Sequence, residues 1–158
     1  MNPTATHLAY AAGYLQLGMI PEARAELESL GSEDRASPAA SALRLELAML
    51  EEDWAEVIAR APELVACDNT EERPWIAWAY ALRELKRIEE ARDTLLTGAR
   101  LIDKPSLLVA YNLACYACLL GDLPEARRLL DGLFAEDDSW RETASEDDDL
   151  AAIRASQP

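Results

Sequence analysis

Residues 111–130 read YNLACYACLLGDLPEARRLL, and the pattern in this stretch recurs along the chain. Small and apolar residues follow helical spacing before Gly121 and again after Pro124, which predicts two helices that fold back on each other. Pro124 suits the first turn of the second helix, because the N–H that proline lacks would have no helical partner there. The stretch therefore predicts a helical hairpin.

The hairpin pattern returns at a nearly constant period. Pro-Glu-Ala at 124–126 is repeated at 21–23, appears as Glu-Glu-Ala at 89–91, and appears in weaker form as Ala-Glu-Val at 55–57. The last residues of these phrases are 34, 34 and 35 positions apart in chain order. Such a period, with two helices in each unit, predicts a helical repeat array.

The same register predicts which residues lie between helices and which lie in turns. Ala23, Ala91 and Ala126 are expected to be buried where the paired helices approach most closely. One position departs from a regular helix, because Pro62 falls inside the second helix of the second unit and proline there costs about 3 kcal/mol. We therefore expect a kink or an early end at Pro62 rather than a straight helix to Cys67. The four turns are expected near Gly18, Glu52, Lys86 and Gly121.

Charge and length limit the classes of function. The 158 residues include 30 acidic and 15 basic side chains, for a net charge of −15. The electric field of so acidic a chain repels phosphate backbones and anionic lipids, so nucleic-acid and membrane partners are not expected. No run of about 18 apolar residues and no secretory signal is visible, and three cysteines fit a reducing compartment, which predicts a cytoplasmic protein.

The stretch from Tyr111 through Gly121 to Ala126 resembles the tetratricopeptide repeat, a 34-residue helix-turn-helix unit. The resemblance implies an all-α, right-handed superhelix in which the first helices line a concave groove that binds a peptide or partner protein. It also implies a single domain over residues 1–158, which comprises repeats at approximately 4–36, 38–69, 70–103 and 104–138 and a C-terminal cap at 139–155.

Groove residues follow from the family by analogy. A partner segment with apolar anchors fits this largely apolar set, and the two arginines in it would orient an acidic group on the partner. The aromatic pair Trp75 and Trp78, three positions apart, is expected in the core instead. The groove candidates are Leu8, Ala12, Leu15, Met49, Arg73, Ile76, Tyr80, Arg83, Tyr111, Asn112 and Cys115.

Other uses of the same surface remain open. Some members of the family clamp a chaperone's C-terminal carboxylate with five polar groups on the first helices, and four of those five are absent here. A secretion-type chaperone that uses the same groove and a structural subunit that self-associates, as a homo-oligomer, are the alternatives. The positions of the chaperone clamp read Leu8, Ala12, Leu43, Arg73 and Ala77.

Catalytic chemistry finds little support in the sequence. Cys115 and Cys118 have redox or metal spacing, but thioredoxin-type sites need a thiolate stabilised at the start of a helix, and these two fall in the middle of one. Four-ligand zinc would need two further ligands, and only Cys67 and His7 are left. We expect no enzyme, cofactor, catalytic residue or metal site, and a thiol redox or metal protein is the least favoured alternative.

The C-terminal segment is strongly acidic, with eight carboxylates between Glu136 and Asp149. Its end is similar to a segment that often closes tetratricopeptide arrays, and a terminal repeat needs such a cover for its open face. We expect a docked cap with Trp140, Leu150 and Ile153 buried, over the alternative of a free acidic tail.

Overall fold

The computed structural model describes residues 3–156, and every regular element in that range is helical. No helix among these residues combines the length and the apolar character that crossing a bilayer requires. The elements are α1 Pro3–Gln16, α2 Ile20–Glu28, α3 Ser32–Arg35, α4 Pro38–Leu50, α5 Trp54–Cys67, α6 Glu72–Glu84, α7 Ile88–Leu101, α8 Leu107–Leu119, α9 Leu123–Glu136, α10 Trp140–Glu146, a 3-10 turn Asp148–Leu150 and α11 Ala151–Ala155.

Eight long helices form four hairpins, in which α1 packs on α2, α4 on α5, α6 on α7 and α8 on α9. Successive hairpins also contact each other, since α5 packs on α6 and α7 packs on α8. The first helices of the hairpins are neighbours too, because α1 contacts α4 and α4 contacts α6. The first helices of the first three hairpins therefore lie side by side.

The four hairpin turns share one backbone geometry. Gly18, Glu52, Lys86 and Gly121 all have positive φ, at 69°, 57°, 63° and 82°. In each turn the next residue's N–H bonds at 2.9 Å to a carbonyl five positions back, which closes the first helix. The predicted turn positions are confirmed, including the two that lack glycine.

Small side chains lie where the paired helices approach. Ala23, Val57, Ala91 and Ala126 are all completely buried, so the predicted register is confirmed. Of the two tryptophans expected in the core, Trp75 is buried and Trp78 is half-buried. Their rings stack with centroids 6.0 Å apart.

Helix α5 does not end early at Pro62, and that part of the prediction was wrong. It continues to Cys67 with the proline in its interior. Ala61, Leu64 and Val65 around the proline are all buried, and their packing offsets the backbone bond that proline removes. Between the first two hairpins the chain forms a further short helix, α3.

The C-terminal segment, residues 139–156, is docked rather than free. Leu150 and Ile153 are buried as predicted, at 1% and 6% exposure, and Ala144 is buried beside them. Trp140 is only half-buried and packs its ring 5.0 Å from that of Tyr111. The segment forms α10, the 3-10 turn and α11.

Candidate partner-binding groove

Three adjoining cavities of about 390, 350 and 230 Å³ lie along the first helices, and Glu46 and Arg73 line all three. We call this surface the open groove. Its lining is contributed by α1, α4 and α6, by the start of α8 and by the end of α5 with the loop that follows it. The apolar side chains that make its floor include Leu15, Leu43, Leu45, Met49, Ile76 and Leu108.

Five of the groove candidates line this open groove: Ala12, Leu15, Met49, Arg73 and Ile76.

Two further candidates, Leu8 and Tyr80, lie outside the cavity linings. Leu8 packs against the core between the first two hairpins. Tyr80 is 39% exposed, and its ring lies 5.7 Å from that of Trp54. Tyr80 therefore presents aromatic surface on α6, four residues beyond Ile76, whereas Leu8 contributes mainly to packing.

The chain's own C-terminal segment binds three other candidates. The Tyr111 hydroxyl donates a hydrogen bond of 2.6 Å to Oδ2 of Asp147, and Cys115 Sγ lies 3.8 Å from the same oxygen. Arg83 donates from Nε to Oδ2 of Asp149 at 2.8 Å. We call the region where α6 and α8 hold the 3-10 turn the closed end. The remaining groove candidate, Asn112, is half-buried on α8.

Both arginines of the predicted set are already paired with carboxylates. Arg83 pairs with Asp149 and also with Glu84, and the hydrogen bond to Asp149 raises the pKa of the Arg83 guanidinium. Arg73 pairs with Glu46 across the open groove. A partner's acidic group would have to compete with these internal pairs.

Sequence reasoning predicted that the segment docks but did not predict its contacts. The pairing of Asp149 with Arg83 joins residues 66 positions apart. One feature of the sequence is consistent with these contacts. Asp147 and Asp149 are two residues apart and point inward, whereas Asp148 between them is exposed.

The three cysteines are all free thiols. Cys115 and Cys118 are both buried, while Cys67 is exposed. Burial, reinforced by the nearby carboxylates of Asp147 and Asp149, raises the pKa of the Cys115 thiol, which therefore stays protonated at neutral pH.

Cys115, Asp147 and Asp149 place ligand atoms within 4.8 Å of one another. Their contacts have a simpler explanation than metal binding, because Tyr111 donates to Asp147 and Arg83 pairs with Asp149. This cluster therefore holds the C-terminal segment against α6 and α8.

Comparison with known proteins supplies no family for this chain. No model of a protein family matches it, and neither does any curated protein. The function is therefore inferred from the open groove, the closed end and the charges around them.

Proposed function

We propose that this protein is a tetratricopeptide-type adaptor that binds a segment of a partner protein in the open groove. Support for the repeat type comes from turns of one geometry at Gly18, Glu52, Lys86 and Gly121, spaced by 34, 34 and 35 residues. The small buried residues of the second helices keep the same spacing. In this proposal the hairpins stack as a right-handed superhelix, and the three free cysteines fit a cytoplasmic location.

The observation that carries the proposal is the open apolar floor. Met49, Ile76 and Leu108 line a cavity of about 390 Å³, and Leu108 is 39% exposed. Apolar surface that stays open in a strongly charged chain marks an interaction site, since burying it against a partner is favourable by about 25 cal/mol per Å². A peptide or helix that fills the floor would bind in this way.

Photocrosslinking from the groove tests this proposal. A photoreactive amino acid at Met49 should crosslink specific proteins in a lysate of the protein's own host, and Ile76→Glu should abolish those products. Leu101, an exposed apolar residue at the end of α7, is the matched control position and should not give them. Identical products from both positions, or products that survive Ile76→Glu in a folded protein, would reject the groove as the binding surface.

A second candidate, self-association, is favoured by one observation on α1. This helix contains no Asp, Glu, Lys or Arg, its Tyr10 is 56% exposed, and Leu17 directly after its end is 73% exposed. Two copies that each carry a charge of −15 would meet most easily through a surface free of charge. Sedimentation of the protein and of Leu17→Glu tests this candidate, and a wild-type monomer at high concentration would rule it out.

A further inference from the structure

The open groove carries an excess of negative charge around its apolar floor. Glu46, Asp68, Glu71 and Glu72 line its three cavities, and Arg73 is the one basic residue that lines them. Four carboxylates and one guanidinium leave three formal negative charges. The lining of the open groove is therefore negatively charged.

Local hydrogen bonds hold several of these carboxylates in place. Glu72 accepts a bond of 2.6 Å from the backbone N–H of Ser106, which tethers it at the start of α8. Asp68 accepts from both the N–H and the hydroxyl of Thr70, and these bonds lower the pKa of its carboxyl group. These donors are neutral, so they orient the carboxylates without cancelling their charge.

The closed end has the same sign. Arg83 faces Asp149 and Glu84, and Asp147 adds a third carboxylate that is bonded to the neutral hydroxyl of Tyr111. Docking of the C-terminal segment thus leaves this end of the surface negative as well. Most of the other arginines are also paired with carboxylates elsewhere on the surface. The net charge of −15 therefore comes from carboxylates that have no basic partner.

We infer that the groove binds a cationic amphipathic segment, in which an apolar face enters the floor and lysines or arginines meet the carboxylates at the rim. This inference rests on the proposed function and specifies the chemistry of the partner. Opposite charge would also speed the encounter, because the field of the whole molecule attracts a basic segment.

An acidic segment fits the same groove poorly. Arg73 and Arg83 would have to give up internal pairs to receive its carboxylates. The remaining rim charges would repel it, and two like charges 4 Å apart cost about 1 kcal/mol even in water. The charge pattern therefore replaces the acidic partner expected from the sequence with a basic one.

Two model peptides provide the direct test. One is a fluorescein-labelled amphipathic helix of leucine and lysine, and the other has the same leucine pattern with glutamate in place of lysine. Fluorescence polarisation with the full chain should show binding of the lysine peptide only. Its affinity should fall between about 20 mM and about 150 mM salt, because salt screens the rim charges.

Variants locate the bound peptide. Glu46→Gln combined with Glu71→Gln should weaken the lysine peptide by about fivefold for each charge removed, the equivalent of about 1 kcal/mol per contact. Glu89→Gln combined with Glu136→Gln removes two exposed charges outside the groove and should change affinity less than about twofold. Ile76→Ser should weaken binding by removing part of the floor.

Three results would overturn the inference. The glutamate peptide could bind as tightly as the lysine peptide, neither peptide could bind, or the lysine peptide could bind equally well to the groove and control variants. The last result would mean adsorption to the acidic surface in general. Crosslinking from Met49 tests the groove without either peptide, so a failure of the charge inference remains distinct from a failure of the proposed function.

Discussion

Arg83 of α6 donates from Nε to the carboxylate of Asp149 at 2.8 Å, although the two residues are 66 positions apart in the chain. A second nitrogen of the same guanidinium also bonds to Asp149. On the other side of the 3-10 turn, Tyr111 of α8 donates to Asp147. The C-terminal segment is thus bonded to the first helices of the third and fourth hairpins.

Loss of the Arg83 side chain should loosen this segment. Arg83→Gln leaves the largely buried Asp149 carboxylate without its ionic partner, which should lower the free energy of unfolding by about 1–3 kcal/mol. Hydrogen exchange should accelerate at the amides of residues 149–153. Arg87→Gln breaks the pair with Glu90, which water screens because both groups are exposed, and should cost much less stability. Equal losses in chemical denaturation would contradict the role given to Arg83.

Replacing each of two tyrosines on α8 by phenylalanine should change the stability of the fold in opposite directions. Tyr116 is 2% exposed, and its hydroxyl has no hydrogen-bond partner among residues 3–156, so Tyr116→Phe should stabilise the fold by about 1 kcal/mol. Tyr111→Phe removes the bond to Asp147 and should destabilise the fold by a similar amount. Thermal unfolding of both variants checks this prediction, and a loss of stability in Tyr116→Phe would refute it.

Two glycines 34 residues apart should also respond oppositely to alanine. A Cβ at Gly98 of α7 would lie 2.5 Å from Cγ of Trp75, so Gly98→Ala should overpack the contact and cost about 1–3 kcal/mol. An added Cβ at Gly132 of α9 would meet no atom of residues 3–156 within 4 Å apart from its chain neighbours and its own helix backbone, so Gly132→Ala should stabilise the helix by up to about 1 kcal/mol. Denaturant midpoints measure both effects, and a neutral Gly98→Ala would disprove the close packing on Trp75.

Much of the fold is predictable because it is encoded locally. The spacing of Ala23, Val57, Ala91 and Ala126 predicts the hairpins, since a small residue is required wherever two paired helices approach closely. The turns are predictable even at Lys86, because the period places a turn there although the residue itself does not favour one.

Contacts of the C-terminal segment are harder to predict because they join residues far apart in sequence. The resemblance to tetratricopeptide repeats predicts Arg83, Tyr111 and Cys115 on the groove side, but it does not reveal that residues 147–149 bind there. Packing around Ala61 likewise carries α5 past Pro62, although the local preference of proline favours an end.

Acid should weaken two equivalent turns that follow second helices. Asp68 after α5 and Asp137 after α9 each accept from the N–H and the hydroxyl of the residue two positions on, Thr70 and Ser139. These bonds lower the pKa of both carboxyl groups in the folded state. Their stabilisation is therefore fully present above the ordinary aspartate pKa and is lost as pH falls through the lower folded value.

Carboxyl chemical shifts followed by NMR should show both aspartates titrating below the ordinary range. Thr70→Ala and Ser139→Ala each remove one donor and should move the pKa of the neighbouring carboxyl group back toward its usual value. Titration of Asp68 or Asp137 at the ordinary aspartate pKa in the unaltered protein would argue against the turns.

The hairpin turns at Glu52 and Lys86 offer the clearest gain in stability. Both residues hold φ near +60°, a left-handed conformation that costs an ordinary L-residue about 1–2 kcal/mol and costs glycine little. Lys86→Gly should therefore raise the free energy of unfolding by about 0.5–1 kcal/mol. This net gain is what remains after subtracting the entropic cost of ordering glycine, which is more flexible than lysine in the unfolded chain. Glu52→Gly should do the same, and Gly121→Ala, at φ 82°, should have the opposite effect.

Lys86→Ala separates the backbone effect from the loss of the side chain, because it removes the lysine and keeps the unfavourable φ. Its stability should stay within about 0.5 kcal/mol of the parent, as for other exposed substitutions. Urea denaturation of the four single variants and of the pair Glu52→Gly with Lys86→Gly provides the measurement. The two gains should add, because the turns belong to different hairpins. If Lys86→Ala were stabilised as much as Lys86→Gly, the effect would come from loss of the lysine side chain. If neither glycine variant were more stable than the parent, these turns would carry no backbone strain.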